Sequence, residues 1–480
     1  MGFVAAIVSA ISASAVASFV VKLVVSYAIG KVMQDRAMSR MRANAAAAAS
    51  SRAIMVNKSS NSDPLPVIYG KTRMGGSRAY IDTSNGAGDL AGDEYLNVVL
   101  AMSEGEIGDI KQLWFNDIIV WDIDNGGTFT NGGLSGFIST YAPVLINGDI
   151  VYHTGADNQT VDTVLKNSIG ASVWTDNHRL QGVAYIAFKL KADPDIFKGG
   201  VPLITAVVEG RKMQNVSNIF AGATSPSTLF SSADASPVDV LYDYLTNVKF
   251  GKGLEHDSNG NYLAGLHIDL ASFKAAKIKT YNFFKVNGVL STDQPIYDNI
   301  NEILESMNGV LAFQAGKYTL RIKHANEPTT MIINSSNILT SVMVSMPEKS
   351  GKFNKITANY RNPTVGTDYN DDLVVVENTT YLAEDNASML EATVVFGLVS
   401  DTTLVTALAT YAMNVSRYGI GVTFEGAHSL LRIEAGDIIE MDLPNFGWTT
   451  KKFRVMGLEL TQDNTVGITA VEYIPSIELV

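Results

Sequence analysis

Leu96 to Asp117 reads LNVVLAMSEGEIGDIKQLWFND, an apolar run, a glycine-bearing acidic bend, a second apolar run and an Asn-Asp pair. That order is the pattern of antiparallel strands joined by tight turns. Tyr95 to Met102 (YLNVVLAM) is the first strand, Ser103 to Asp109 (SEGEIGD) the turn, and Leu113 to Trp121 two short strands about Asn116-Asp117. Downstream, Ala184, Ile186, Phe188 and Leu190 alternate so that all four share one sheet face, and Leu203 to Val208 adds a strand before Glu209-Gly210-Arg211. Between Asp122 and His178, glycine pairs at Gly126 and Gly132 and many Asn, Thr and Ser residues predict an irregular insertion with short strands.

The period changes at Ser236-Pro237, an N-cap followed by a first helical residue. Val238, Leu241, Tyr242, Leu245 and Val248 then fall on one helix face. Asp269 caps a second predicted helix through Lys277. Pro295 opens a third, with Ile296, Ile300, Ile303, Leu304 and Met307 inward and Asn308-Gly309 as its stop. A hairpin follows, Val310 to Gln314 and Lys317 to Lys323 about Ala315-Gly316. Strand patterns return at Lys355 to Tyr360, Asp372 to Val376, Asp437 to Met441, Phe453 to Leu460 and Thr465 to Val471, interrupted by a helix from Thr402 to Val415. The fold class is mainly β with an α+β middle region. A chain of 480 residues exceeds one core, and the expected units are 1–53, a first β-rich unit 54–235 with its insertion at 122–178, a middle unit 236–330 and a second β-rich unit 331–480.

Phe3 to Met33 carries only Lys22 and Lys31 as charges and would run ~45 Å as a helix. Ile7, Ile11, Ala15, Phe19, Leu23 and Tyr27 make one row at i+4 spacing, with Val4, Val8, Ser12, Val16, Val20 and Val24 beside it, so the helix is apolar nearly all round. Nothing basic precedes the run, which disfavours a secretory signal. Its Ser and Ala content suits close helix packing as well as lipid. Asp35 to Arg42 is charged, and Ala45 to Ser51 reads as a linker.

Composition excludes several chemistries. The absence of cysteine rules out disulfides, thiolate metal sites and a cysteine nucleophile. Lys plus Arg is 36 against 48 for Asp plus Glu, so a net charge of −12 argues against a dedicated nucleic-acid binder, although an acidic lumen would let DNA pass without sticking. His153, His178, His256, His267, His324 and His428 are scattered and read as solvated. Gly70-Lys71-Thr72 ends like a phosphate-binding loop, but Leu65 stands where that motif needs glycine. Asp122 to Gly127 and Asp257 to Asn261 begin like calcium loops yet have Gly133 and Ile268 at the twelfth position, so both read as turns. The paired carboxylates Glu104 and Glu106, and Asp371 and Asp372, read as solvated faces. No catalytic constellation, metal site or cofactor is expected.

Five segments carry a resemblance. DPLPVIYGKTRMGG (Asp63 to Gly76), LNVVLAMSEGEIGDIKQLWFND, FKGGVPLITAVVEGRKM (Phe197 to Met213), SPVDVLYDYLTNVKFGKGL (Ser236 to Leu254) and VGITAVEYIPSI (Val466 to Ile477) resemble, in this order, segments of the tip attachment, or host-specificity, proteins of lambda-like long-tailed phages. The resemblance implies two β-barrel domains related to tail-tube subunits, with a homotrimer offering six such units to a sixfold tube at the virion tail tip. It further implies a channel for tape measure and DNA. The implied partners are tube-end ring proteins, the C-terminal end of the tape-measure protein, and other tip proteins or a central fibre. Receptor recognition is expected from another chain or from residues not given. The apolar helix is expected at the lumen, with Phe3, Ile7, Ile11, Phe19, Leu23 and Tyr27 as its contacts to partners and then to the host membrane. A rival reading is a membrane-inserting or pore-forming protein built on that helix; a tail-associated hydrolase would need an acid/base pair that the sequence does not display.

Overall fold

The computed structural model describes residues 56–58, 64–88, 93–125, 127–130, 133–135, 149–193, 200–220, 235–314, 316–346, 351–363, 369–461 and 465–479. The apolar segment from Phe3 to Met33, with its six expected contact residues, lies outside them. Among the described residues no helix is long and apolar enough to cross a membrane.

The first β-rich region is two four-stranded antiparallel sheets, face to face. One runs in the order β3 (Ser77–Ser84), β4 (Tyr95–Glu104), β10 (Val183–Lys191) and β9 (Asp149–His153). The other runs β2 (Lys71–Gly75), β11 (Ile204–Arg211), β5 (Ile107–Phe115) and β6 (Ile118–Asp122). Ala184, Ile186, Phe188 and Leu190 do share one face, and they meet Ile107, Ile110, Leu113 and Phe115 in the core between the sheets. The turn read over Ser103 to Asp109 shrinks to a bend at Gly105, whose φ is 85°, because Ile107 and Ile110 are core residues of β5. Asn116 and Asp117, at φ 46° and 63°, close the β5–β6 hairpin in the primed conformation that matches strand twist. Within the insertion, β7 (Thr128–Thr130) and β8 (Gly133–Ser135) form a small ribbon. Helix α1 (Thr163–Ile169), which no sequence signal announced, lays Leu165 and Ile169 over Val99, Tyr185 and Ala187 on the outer face of the first sheet.

A second core joins β1 (Val67–Tyr69) and β12 (Gly288–Leu290), paired antiparallel, to α2 (Val216–Phe220), α3 (Pro237–Thr246), α4 (Leu270–Thr280), α5 (Ile296–Ser306) and the hairpin β13 (Gly309–Gln314) and β14 (Lys317–Ile322). The same cluster continues past residue 330 into a three-stranded sheet, β18 (Asn370–Glu377), β17 (Lys355–Asn362) and β19 (Glu391–Phe396), flanked by α6 (Thr379–Glu384) and backed by α7 (Thr402–Arg417). Asp269 caps α4 as expected, its carboxylate accepting from the Ala271 N–H. Ser236 stands at the N-cap of α3 without a side-chain capping bond, so Pro237 sets that start. Val248, expected inward, is 67% exposed because α3 stops at Thr246, and Ile296 is exposed at the first turn of α5, ahead of the buried stripe Ile300, Ile303 and Leu304.

The last region is a six-stranded sheet in the order β15 (Thr329–Asn334), β21 (Ile438–Leu443), β22 (Trp448–Leu460), β23 (Val466–Glu472), β20 (Gly421–Gly426) and β16 (Met343–Ser345). Its core is Ile333, Val422, Phe424, Ile439, Met441, Phe453, Val455 and Ile468. The mainly β class stands; the barrels do not. Among the described residues no sheet closes on itself. Closure needs every edge strand to find a partner. Here the chain passes at Gly105 from β4 in one sheet to β5 in the other, leaving β3, β9, β2 and β6 as edges, while β15 and β16 end the large sheet unjoined.

Ile68 is the residue of β1 that enters the sandwich core. Ile68→Ala should destabilise the chain by ~2 to 5 kcal/mol, read as a lowered thermal midpoint. A surface-like loss of a few tenths of a kcal/mol would show that the sandwich does not depend on β1.

Candidate functional site

Four of the five quoted segments meet in one place, the junction around β1. Strand side chains alternate, so Val67 and Tyr69 enter the helical core while Ile68 between them enters the sandwich. All three are 0% exposed. Next comes Gly70 at φ 69°, where an added Cβ would lie 2.1 Å from the Val286 carbonyl oxygen. The asparagine beyond it bridges three regions. Asn287 accepts from the Lys71 N–H through Oδ1 at 2.8 Å. It donates from Nδ2 to Ser400 Oγ at 3.0 Å, and its backbone N–H bonds the Leu398 carbonyl at 2.8 Å. Gly288 in turn admits the Gly397 carbonyl, which a Cβ would meet at 2.4 Å.

Behind β1 lies a half-buried charge cluster. Asp243 of α3 accepts from Tyr69 Oη at 2.6 Å and from Arg211 Nε at 2.8 Å. Burial raises the Tyr69 phenol well above its ordinary pKa and the Asp243 carboxylate adds to this, so the tyrosine stays a neutral donor. Burial opposes the Arg211 charge, but Asp243 outweighs it and holds the guanidinium ionised. Arg211 also lies over the Phe250 ring at 5.0 Å. It fills the space a side chain at Gly105 would need, since a Cβ there would sit 1.8 Å from Arg211 Nη1. Around the rim, Glu104 pairs with Lys249 at 3.2 Å and Glu106 with Lys212. These two were read as solvated, and the residues that pair with them stand more than a hundred positions away. On the far side, Glu302 of α5 keeps part of its surface in solvent while its carboxyl turns inward, its Oε1 2.6 Å from where a Cβ of Gly397 would be. Burial, and then the Glu305 carboxylate, push its pKa up to about 7.

The arrangement clamps the sandwich against the helical core. The Asp243 carboxylate is occupied by two donors, and Tyr69 is held neutral. The two calcium-like openings use their aspartates as turns, Asp257 Oδ1 accepting from the Asn259 and Asn261 N–H groups, and Asp122 Oδ1 from that of Asp124. Among the described residues no group of three or more His, Asp or Glu could hold a metal ion. His153 departs from the solvated reading. Its Nε2 lies 2.8 Å from Asp162, the buried N-cap of α1, and its ring stacks on Tyr185 at 4.5 Å. The nine-residue spacing crosses a loop, and no sequence pattern marked it.

No family model matches the chain. A protein of the native gene transfer agent (GTA) virion particle has the same fold, with a TM-score of 0.62 at 14% identity over 88% of this chain and 87% of that one. What this likeness establishes is the fold, mainly β and shared with a virion protein. In sequence the chain is 22% identical over 468 residues to the baseplate hub protein pb3 of Escherichia phage T5, a match covering 85% of this chain and 47% of that protein. The chain spans about half the length of that relative. These relatives belong to virions, in agreement with a place at the virion tail tip.

Two outcomes test the junction. Asp243→Asn should cost ~1 to 3 kcal/mol in equilibrium unfolding, because it leaves the half-buried Arg211 without its counter-charge. Combining Asp243→Leu with Arg211→Met and Tyr69→Phe, which removes the donor that Asp243 would leave unpaired, should recover most of that loss, and no recovery would mean that the ion pair is not what stabilises the site. For Glu302 the sign follows from its raised pKa. The folded chain holds the proton more tightly than the unfolded one, so the contribution is complete below the ordinary value of 4.5 and is lost as pH rises through about 7. Glu302→Gln should flatten the thermal midpoint across that window, and an unchanged slope would place the titrating group elsewhere.

Proposed function

We propose that the chain is the structural hub at the tip of a non-contractile phage tail, joining the end of the tail tube to the tip and framing the channel for tape measure and DNA. The observation that carries this reading is the junction, where segments resembling hub proteins converge to fix a β sandwich against a helical core. A part that transmits load and sets geometry requires such fixed relations between its units. In this reading three copies form a ring, tube-end ring proteins and other tip proteins or a central fibre dock on it, and its role is assembly, without catalysis. The net charge of −12 supports passage of DNA without retention. The apolar segment containing Phe3, Ile7, Ile11, Phe19, Leu23 and Tyr27 packs with its own copies and with the end of the tape measure, then reaches the host membrane on triggering. Leaving such a helix in water would forfeit ~1.5 to 3 kcal/mol per large side chain.

Electron microscopy of tails labelled on this chain tests the reading. Three copies in a ring at the tip are expected, and one or two copies there would refute it. In the same assay, tails carrying Ile11→Asp with Phe19→Asp should fail to initiate or should lose the tape measure, since each aspartate would be buried unpaired. Normal tails that retain the tape measure would remove the packing role of the helix.

A further inference from the structure

Between α4, β14 and the segment carrying His324 and Glu327 lies an open cleft of about 600 Å³, apart from the junction. Its acidic groups are committed. Glu327 is held by Arg454 at 2.6 Å, Glu434 by Arg321 at 2.8 Å, and Asp269 accepts from the Ala271 N–H at 3.1 Å. Asp437 is likewise bound to Arg321. Of the cations, Lys317 donates to the Gly265 carbonyl at 2.6 Å. Among the titratable groups of the lining, two donors are left over. The exposed Lys279 ammonium has no hydrogen-bonded or ion-paired partner among the described residues. His324 Nδ1 accepts from the Asn326 N–H at 3.2 Å, so the neutral ring carries its proton on Nε2, and that N–H also meets no acceptor among the described residues.

The local field supports the same conclusion. Burial lowers the pKa of Lys279, and Arg321 and Arg454 act with it against the attraction of Glu327. Burial lowers that of His324 too, with Lys279 adding to it, Glu327 opposing and Arg454 adding again. Cationic groups thus gather about Lys279 and His324, and the nearby Glu327 carboxylate is taken up by Arg454 and by the His324 backbone N–H rather than by either side chain. An anion entering there would relieve both groups and complete their hydrogen bonds.

We propose that this cleft binds a carboxylate group, with Lys279 Nζ and His324 Nε2 as its donors. The open mouth admits either an acidic side chain of a partner protein or a small free carboxylate. The planar acceptor pair of a carboxylate suits two donors presented from different elements, one from the end of α4 and one from the turn after β14.

Calorimetric titration of the full chain with citrate, and separately with a short glutamate-rich peptide, tests this. At least one should bind with a Kd of about 1 mM or tighter, weakening as salt is raised. Lys279→Met should weaken binding by about tenfold or more. His324→Gln should weaken it in the same direction, while Lys166→Met, on α1, should leave it unchanged. Binding of the peptide alone supports the proposal with a partner's side chain as the source, and binding of citrate alone supports it with a free carboxylate. No binding of either probe, or binding that Lys279→Met leaves untouched, overturns it.

Discussion

Successive side chains of a strand point to opposite faces, and that constraint lets three residues serve two cores. Val67 and Tyr69 are part of the helical core and Ile68 part of the sandwich, all without solvent contact. A shift of one residue in the pairing of β1 with β12 would reverse all three at once, placing one large side chain where two belong. The register is therefore fixed from both sides. Gly70 makes the arrangement sterically feasible, because the chain must turn at positive φ directly against the Val286 carbonyl. The two units are joined through shared interior, and a hinge at this point would have to break two cores.

The charges behind β1 act differently. Asp243 and Arg211 are drawn most of the way out of water, and the desolvation this costs offsets much of their attraction, so the net stabilisation from the pair is small against that from the apolar contacts around it. What the pair adds is direction. Tyr69 of β1, Arg211 of β11 and Asp243 of α3 satisfy one another only in this relative placement, and Gly105 leaves the room Arg211 needs. Apolar contacts hold the units together, and the polar ones select the angle.

Much of this was legible in the sequence where the signal is local. The hairpin at Asn116-Asp117, the alternation from Ala184 to Leu190, the Pro237 and Asp269 helix starts and five strands of the last third follow from period and turn chemistry, whereas β15, β16, β19 and β20 went unread. Signals that depend on distant partners were not legible. Glu104 and Glu106 pass for a solvated bend until Lys249 and Lys212 arrive. His153 passes for a loop residue until α1 presents Asp162. Helix α1 is itself too short, at Thr163–Ile169, to show a period. The barrel expectation came from resemblance, and strand patterns alone do not say whether the edges of a sheet meet. The junction could have been anticipated from Gly70, Gly105 and Gly210, glycines in three quoted segments that each resist a side chain.

Open sheets leave edges, and edges constrain how such a chain meets its neighbours. The three-stranded sheet is informative because one edge, β18, is acidic and the other, β19, opens on a carboxylate. β18 carries Asp371, Asp372 and Glu377, and β19 begins at Glu391, four carboxylates against Lys355 and Arg361 on the central strand β17. Lys355 lies 3.6 Å from Glu377 and 3.5 Å from Glu391, so one ammonium is shared by two edges and each keeps a negative excess. Two copies brought edge to edge at this sheet would set carboxylate against carboxylate, where directly opposed like charges are destabilising. Pairing of this kind is therefore disfavoured. The edges of the sandwich and of the six-stranded sheet lack this opposing row of carboxylates.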